Sequence, residues 1–195
     1  MKLVFATGNL GKLREAAEIL GPDFELLTPA DLGITDEIPE TGNTFRANSL
    51  QKAEYIRLRT GLDCFADDSG LEVDALGGAP GIHSARYAAP GHDFDANITK
   101  LLAELAKVPD APRTARFRTV VTLLLDDGPH FFEGTMEGRI AERRAGCRGF
   151  GYDPVFIADA MPGMTMAEAG EEVKNRFSHR GQALRAMAAW LRENR

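Results

Sequence analysis

The chain has little that could staple it together from outside its own core. Its 195 residues include two cysteines, Cys64 and Cys147. With no CxxC pair and no histidine at ligand spacing, a structural zinc site and a disulfide framework are both excluded. Cys64 lies in an apolar stretch and reads as a small buried hydrophobe. An excess of basic residues is also missing. Lys and Arg number 23 against 29 Asp and Glu, a formal charge of −6, so the net field repels a nucleic-acid polyanion. A small phosphorylated ligand responds to local groups and is not excluded. No apolar run approaches the ~20 residues of a membrane span. Lys2-Leu3-Val4-Phe5-Ala6 is too short and strand-like for a secretory h-region, so the expectation is a cytoplasmic protein with no membrane partner. Internal repeats, low-complexity tracts and linkers rich in Gly, Ser or Pro are absent too.

What is present is an alternation of strand-like and helix-like segments. Lys2 to Ala6 suits a strand buried on both faces. Asn9 then offers an N-cap, Leu10, Leu13, Ala17 and Leu20 recur at helical spacing, and Gly21-Pro22 closes the helix. Phe24 to Leu27 predicts a second strand, and Thr44 to Arg59 a second helix. Leu62 to Ala66 predicts a buried strand that ends in Asp67-Asp68-Ser69-Gly70, with Gly77 to Gly81 a tight loop. Ile98 to Ala106 predicts a helix stopped near Pro109. Arg116 to Leu125 and His130 to Ile140 predict two antiparallel strands around Asp126-Asp127-Gly128-Pro129. Leu184, Met187, Ala188 and Leu191 form one stripe of a final helix, with Ser178 as a candidate N-cap. The mixture predicts an α/β fold with a mixed sheet in one domain over 1–195.

Three segments can carry chemistry. Thr7-Gly8-Asn9-Leu10-Gly11-Lys12 is a glycine-bearing turn from strand to helix. Such a turn presents backbone N–H groups and the positive end of the helix dipole, both favourable to phosphate, and Lys12 adds a full charge. It is not a P-loop, which needs four residues between its glycines; an ordinary capped βα turn reads the same way. Asp67-Asp68-Ser69-Gly70 could form an acidic site at a strand end or a solvated turn. If both aspartates stay extended they point to opposite faces, so only one can reach a given metal. Glu40 could complete an oxygen-rich Mg²⁺ site or be a solvated loop residue. In Phe150-Gly151-Tyr152-Asp153-Pro154 an aromatic beside a carboxylate can stack a base and read its edge. Lys174 and Ser178-His179-Arg180-Gly181-Gln182 follow. Arg180 at a helix start opposes the dipole and so calls for a nearby acceptor.

These segments together resemble the inosine/xanthosine triphosphate pyrophosphatase family, which acts on non-standard purine nucleotides. The resemblance runs in order through Ala6 to Lys12, Glu40-Thr41-Gly42, Ala66 to Leu71, Gly77 to Tyr87, Phe150 to Pro154 and Ser178 to Leu184. His83 and Phe131-Phe132-Glu133 depart from the pattern without touching the matched chemical positions. The resemblance implies an elongated two-lobed α/β fold around a long twisted mixed sheet, a homodimer, and a cleft for a purine nucleoside triphosphate. It implies that Thr7, Gly8, Asn9, Leu10, Gly11 and Lys12 grip the triphosphate, that Glu40 and Asp68 hold Mg²⁺, and that Asp68 accepts the proton of the attacking water. It further implies that Ser69 contacts substrate, Lys52 contacts phosphate, and Phe150, Gly151, Tyr152, Asp153, Lys174, His179 and Arg180 bind the base.

The implied reaction is attack of water on the α-phosphorus with pyrophosphate leaving, catalysed by positioning and charge stabilisation. A 6-oxo purine offers an acceptor at O6 that His179 and Arg180 could satisfy, whereas the adenine amino group would face two donors. An unmet buried group costs about 1–3 kcal/mol. Two rival classes share the motifs: a nucleotide-binding sensor without turnover, and a metal-dependent phosphomonoesterase with Asp68 as nucleophile. Only the first reaction releases pyrophosphate.

Overall fold

The computed structural model describes residues 1–169 and 177–194. Six strands pair in the order β2-β1-β3-β4-β5-β6: β1 (Lys2–Phe5), β2 (Glu25–Leu27), β3 (Cys64–Val73), β4 (Thr114–Leu125), β5 (Gly128–Ile140) and β6 (Phe156–Ala158). β1 lies parallel to both β2 and β3, and β5 antiparallel to β6, which makes the sheet mixed. The neighbours β4 and β5 are joined by Asp126-Asp127 alone, a connection short enough only for a hairpin. Among the described residues four α-helices accompany the sheet: α1 (Leu10–Leu20), α2 (Phe45–Thr60), α3 (Phe94–Ala106) and α4 (His179–Asn194).

Caps set the helix starts. Asn9, Thr44 and Asp93 each accept a hydrogen bond from the backbone N–H three residues on. The Asp93 cap explains why α3 begins at Phe94 and not near Ile98: the N-terminal turn is polar and carries no apolar periodicity. Gly21 and Gly61, at φ 72° and 67°, end α1 and α2 by taking the positive φ that side chains avoid.

The largest difference from the sequence reading is in β3. Asp67-Asp68-Ser69-Gly70 is not a turn after the strand but its middle, and the strand runs on to Val73. Turn-forming composition is overridden because both carboxylates are buried against cations rather than solvated. The site on β3 therefore does not sit at a strand's carboxyl end.

The chain gathers into two compact units, neither of them a continuous segment. The first is Met1–Asp68, Thr119–Gly134 and Arg180–Arg195; the second is Ser69–Arg118 and Thr135–His179. The first unit has two apolar clusters. In one, the stacked rings of Phe5 and Phe65 (4.4 Å between centroids) pack with Leu184, Met187, Ala188 and Leu191, the predicted stripe of α4. Each large side chain buried there contributes about 1.5–3 kcal/mol. In the other, Val4, Ala6, Ala53, Ile56 and Cys64 pack together. The second unit has its own core around Leu71, Ile98, Leu101, Leu105, Ile140 and Phe156.

Candidate active site

The first unit brings the N-terminal turn, Glu40, α2 and the first half of β3 to one place. β1 ends at Phe5 and α1 starts at Leu10, so the intervening residues form the expected turn. The Asn9 side chain accepts from the Lys12 N–H at 3.1 Å, and the Asn9 N–H donates to Thr7 Oγ1 at 3.1 Å. The N–H groups of Leu10 and Gly11 open the helix and have no carbonyl to meet within it. Lys12 projects from the first turn of α1 and donates to Asp67 at 3.0 Å.

Strand alternation then separates the two aspartates, as extended backbone requires. Asp67 receives Lys12 and also Arg180 Nε at 2.9 Å. Asp68 receives Asn48 Nδ2 at 3.0 Å and lies 3.7 Å from Lys52 Nζ. The same Lys52 ammonium donates to Glu40 Oε1 at 2.5 Å. Glu40 and Asp68, 28 positions apart in sequence, thus share one cation.

Burial alone would raise the pKa of Asp67, but Lys12, Arg180 and Lys52 overcome it and hold the group well below the ordinary carboxylate range. In Asp68 the balance goes the other way. Burial, reinforced by Glu40, lifts its pKa against the opposing pull of Lys52, Lys12 and the Asn48 hydrogen bond. Burial depresses the Lys12 ammonium, and Asp67 only partly offsets it.

Arg180 is 2% exposed and is paired with both Asp67 and Glu15. The acceptor demanded by its place at a helix start is therefore a pair of carboxylates within the first unit. Glu15 was not singled out by sequence. Its signal is an acid on the α1 face that also carries Ala16 and Leu20, which are buried. Asn48 and Gln51 were missed as well. The signal there is the inward stripe of α2, where Asn48, Ser49 and Lys52 stand among Phe45, Ala53 and Ile56. Buried polar residues of low helix propensity need a reason to be there.

The remaining described residues singled out by sequence lie in the second unit. Tyr152 is buried at 3% exposure. Its hydroxyl donates to the Ser84 carbonyl at 2.9 Å, and burial pushes its phenol above the ordinary range. Asp153 is also buried, and its Oδ2 accepts the Phe150 N–H at 2.9 Å, closing the loop over Gly151. Phe150 is half-buried and lies tilted against Phe94 with 6.4 Å between ring centroids. The His179 ring stacks on Phe117, 5.0 Å between centroids and 10° from parallel. Ser69, next to Asp68 in β3, is half-buried. Lys174 lies outside the described residues.

The residues of the first unit suit a divalent cation. Among the described residues no group of three or more acidic, histidine or cysteine side chains gathers at one point, so the protein can offer the carboxylate pair Glu40 and Asp68. Two carboxylates, with phosphate and water completing the shell, are how Mg²⁺ is commonly held beside a nucleotide.

A mixed-sheet α/β protein with a helix-start turn, two lysines and a carboxylate pair on one cation has the components of a polyphosphate site. The chain belongs to the Ham1 family, whose model matches residues 3–190. It is 50% identical over 190 residues to a dITP/XTP pyrophosphatase of Porphyromonas gingivalis, covering 97% of each chain. It is 49% identical to a dITP/XTP pyrophosphatase of Methylococcus capsulatus, over 98% of this chain and 96% of that one. Among solved structures, a HAM1 protein from Coxiella burnetii superposes with a TM-score of 0.90 at 38% identity over 99% of both chains.

Proposed function

We propose that this chain hydrolyses non-standard purine nucleoside triphosphates (ITP, dITP and XTP) to the monophosphate and pyrophosphate, clearing them from the nucleotide pool. The observation that carries this reading is the shared cation of Glu40 and Asp68 beside Lys12 and the α1 N-terminus. The names of the relatives point to the same substrates.

The Leu10 and Gly11 N–H groups and Lys12 hold the phosphate chain, with the dipole of α1 behind them. Mg²⁺ bound by Glu40 and Asp68 would supply charge neutralisation and a lowered pKa for the attacking water. Asp68 accepts the proton of the attacking water. Lys52, which bridges the two carboxylates, moves its charge to the departing phosphates. Asp67 accepts no proton, because Lys12 and Arg180 hold it ionised. By the family resemblance Phe150, Gly151, Tyr152, Asp153, Lys174, His179 and Arg180 are assigned to the base, and Ser69 to a substrate contact. The enzyme works as a cytoplasmic homodimer; no described helix is long and apolar enough to cross a membrane.

The test is to incubate the protein with ITP and Mg²⁺, without added inorganic pyrophosphatase, and to identify the products. IMP with pyrophosphate is the expected result. Orthophosphate would point to a phosphomonoesterase and no turnover to a sensor, and either overturns the reading. Asp68→Asn is expected to abolish turnover while still binding nucleotide.

A further inference from the structure

The loop that carries Glu40 is fastened to α2 at three successive residues. Lys52 donates to Glu40, Gln51 Oε1 accepts the Thr41 N–H at 2.8 Å, and Asn48 Oδ1 accepts the Gly42 N–H at 2.7 Å. Positions 48, 51 and 52 share one face of a helix, so loop and helix run past each other in register. Gln51 also donates to Thr41 Oγ1 at 2.9 Å, so both of these bonds fall on one loop residue. Asn48 differs, because its other end donates to Asp68 Oδ2 at 3.0 Å.

The orientation of the Asn48 amide is fixed by its neighbours. A backbone N–H can only donate and a carboxylate at this distance can only accept, so the opposite orientation would face donor with donor and oxygen with oxygen. The fit is also tight: a Cβ on Gly42 would stand 2.8 Å from Asn48 Oδ1 and 2.7 Å from Ala47 Cβ. Asn48 is 3% exposed, so water does not readily replace either bond. One planar amide therefore spans the gap between the loop of Glu40 and the carboxylate of Asp68.

We propose that Asn48 is a positioning residue that sets the separation and orientation of the two carboxylates for a divalent cation. The inference rests on the reading of Glu40 and Asp68 as the cation's ligands. The amide restrains Asp68 through its carboxylate and Glu40 through the backbone two residues on, and it needs no contact with substrate. Partners that orient ligands in this way cost about 10- to 100-fold in metal affinity or activity when removed.

The experiment measures Mn²⁺ affinity without nucleotide, by the loss of the free-ion signal in electron paramagnetic resonance. It uses wild type, Asn48→Ala, Asn48→Leu, Gln51→Ala and Glu40→Gln, each checked for native helix content. Asn48→Leu keeps roughly the shape of the asparagine and carries the measurement should the alanine variant not fold. The expected result is a 10- to 100-fold loss of affinity in the Asn48 variants and a smaller loss in Gln51→Ala, which frees the loop at Thr41 alone. With ITP, the Asn48 variants should need correspondingly more Mg²⁺ for half-maximal rate and regain most of kcat at saturation. A wild-type chain that binds no Mn²⁺ overturns the metal reading and this inference together. Mn²⁺ binding that Glu40→Gln weakens but the Asn48 variants leave unchanged, or that Gln51→Ala weakens equally, overturns this inference alone.

Discussion

Arg180 and Glu15, 165 positions apart in sequence, meet as a buried ion pair that joins α4 to α1. The pair replaces water around two groups that burial would otherwise penalise, so removing Glu15 takes from the buried Arg180 one of its carboxylates and leaves it Asp67. Glu15→Ala should lower stability by about 3 kcal/mol. For a chain of this size that is a fall in Tm of roughly 6–12 °C. Thermal denaturation followed by circular dichroism reads it directly, and an unchanged Tm would show that Asp67 alone satisfies Arg180.

Asp67 gives acid pH a defined effect. Its native pKa is held below the ordinary value of 3.8. While the pH is above that value, both folded and unfolded chains carry the charge and its stabilisation is complete. Below it the unfolded chain takes up a proton that the folded chain resists, and stability falls. The Tm difference between wild type and Asp67→Asn should therefore be constant down to about pH 5 and narrow below 3.8. A gap that stays constant at pH 3 or lower (roughly the range in which such groups titrate) would contradict the network.

Two glycines of the site should respond in opposite ways. Gly8 has an ordinary φ and nothing within 4 Å of an added Cβ, so Gly8→Ala should leave stability within about 1 kcal/mol of wild type. A methyl group in the phosphate turn should still raise KM by roughly tenfold, the loss of about one hydrogen bond to a charged group. Gly42→Ala, crowded by Ala47 and Asn48, should cost about 1–3 kcal/mol and weaken metal dependence as well. Denaturant titration and steady-state kinetics on both variants distinguish the two cases.

The two cysteines should differ as sharply. Cys64 is fully buried, its thiol donates to the Ala53 carbonyl at 3.2 Å, and burial pushes its pKa up to about 12. Cys147 is exposed. Iodoacetamide at pH 8 (roughly where an ordinary thiol begins to ionise) should label Cys147 in the folded protein and both residues after denaturation. Peptide mass spectrometry gives the answer, and labelling of native Cys64 would place it outside the core.

Most of the fold was legible in the sequence wherever a periodic apolar pattern met a cap or a glycine. α1, α2 and the stripe of α4 follow from Asn9 and Gly21, from Thr44, and from Leu184 to Leu191. The middle of β3 was not legible, because Asp-Asp-Ser-Gly is turn chemistry by every local rule. What keeps it extended is charge contributed by Lys12, Lys52 and Arg180 from three helices, a long-range fact that no window of residues contains. The candidate site shows the same division. The turn of Thr7 to Lys12 could be anticipated, and the placing of Glu40 with Asp68 was one of two readings that the residues left open. Asn48, Gln51 and Glu15 were hidden because each acts through partners distant in sequence. The structural tasks of Tyr152 and Asp153 were equally hidden: the first donates to the Ser84 carbonyl and the second accepts the Phe150 N–H.

The way the chain divides between its two units bears on how the protein can change over time. It crosses from one to the other between Asp68 and Ser69, between Arg118 and Thr119, between Gly134 and Thr135, and between His179 and Arg180. No truncation, and no exchange of a single gene segment, can deliver either unit whole. The residues assigned here to phosphates and those assigned to the base are thus inherited together. New substrate preferences in this lineage have to arise by point substitution within an intact chain, not by shuffling of parts.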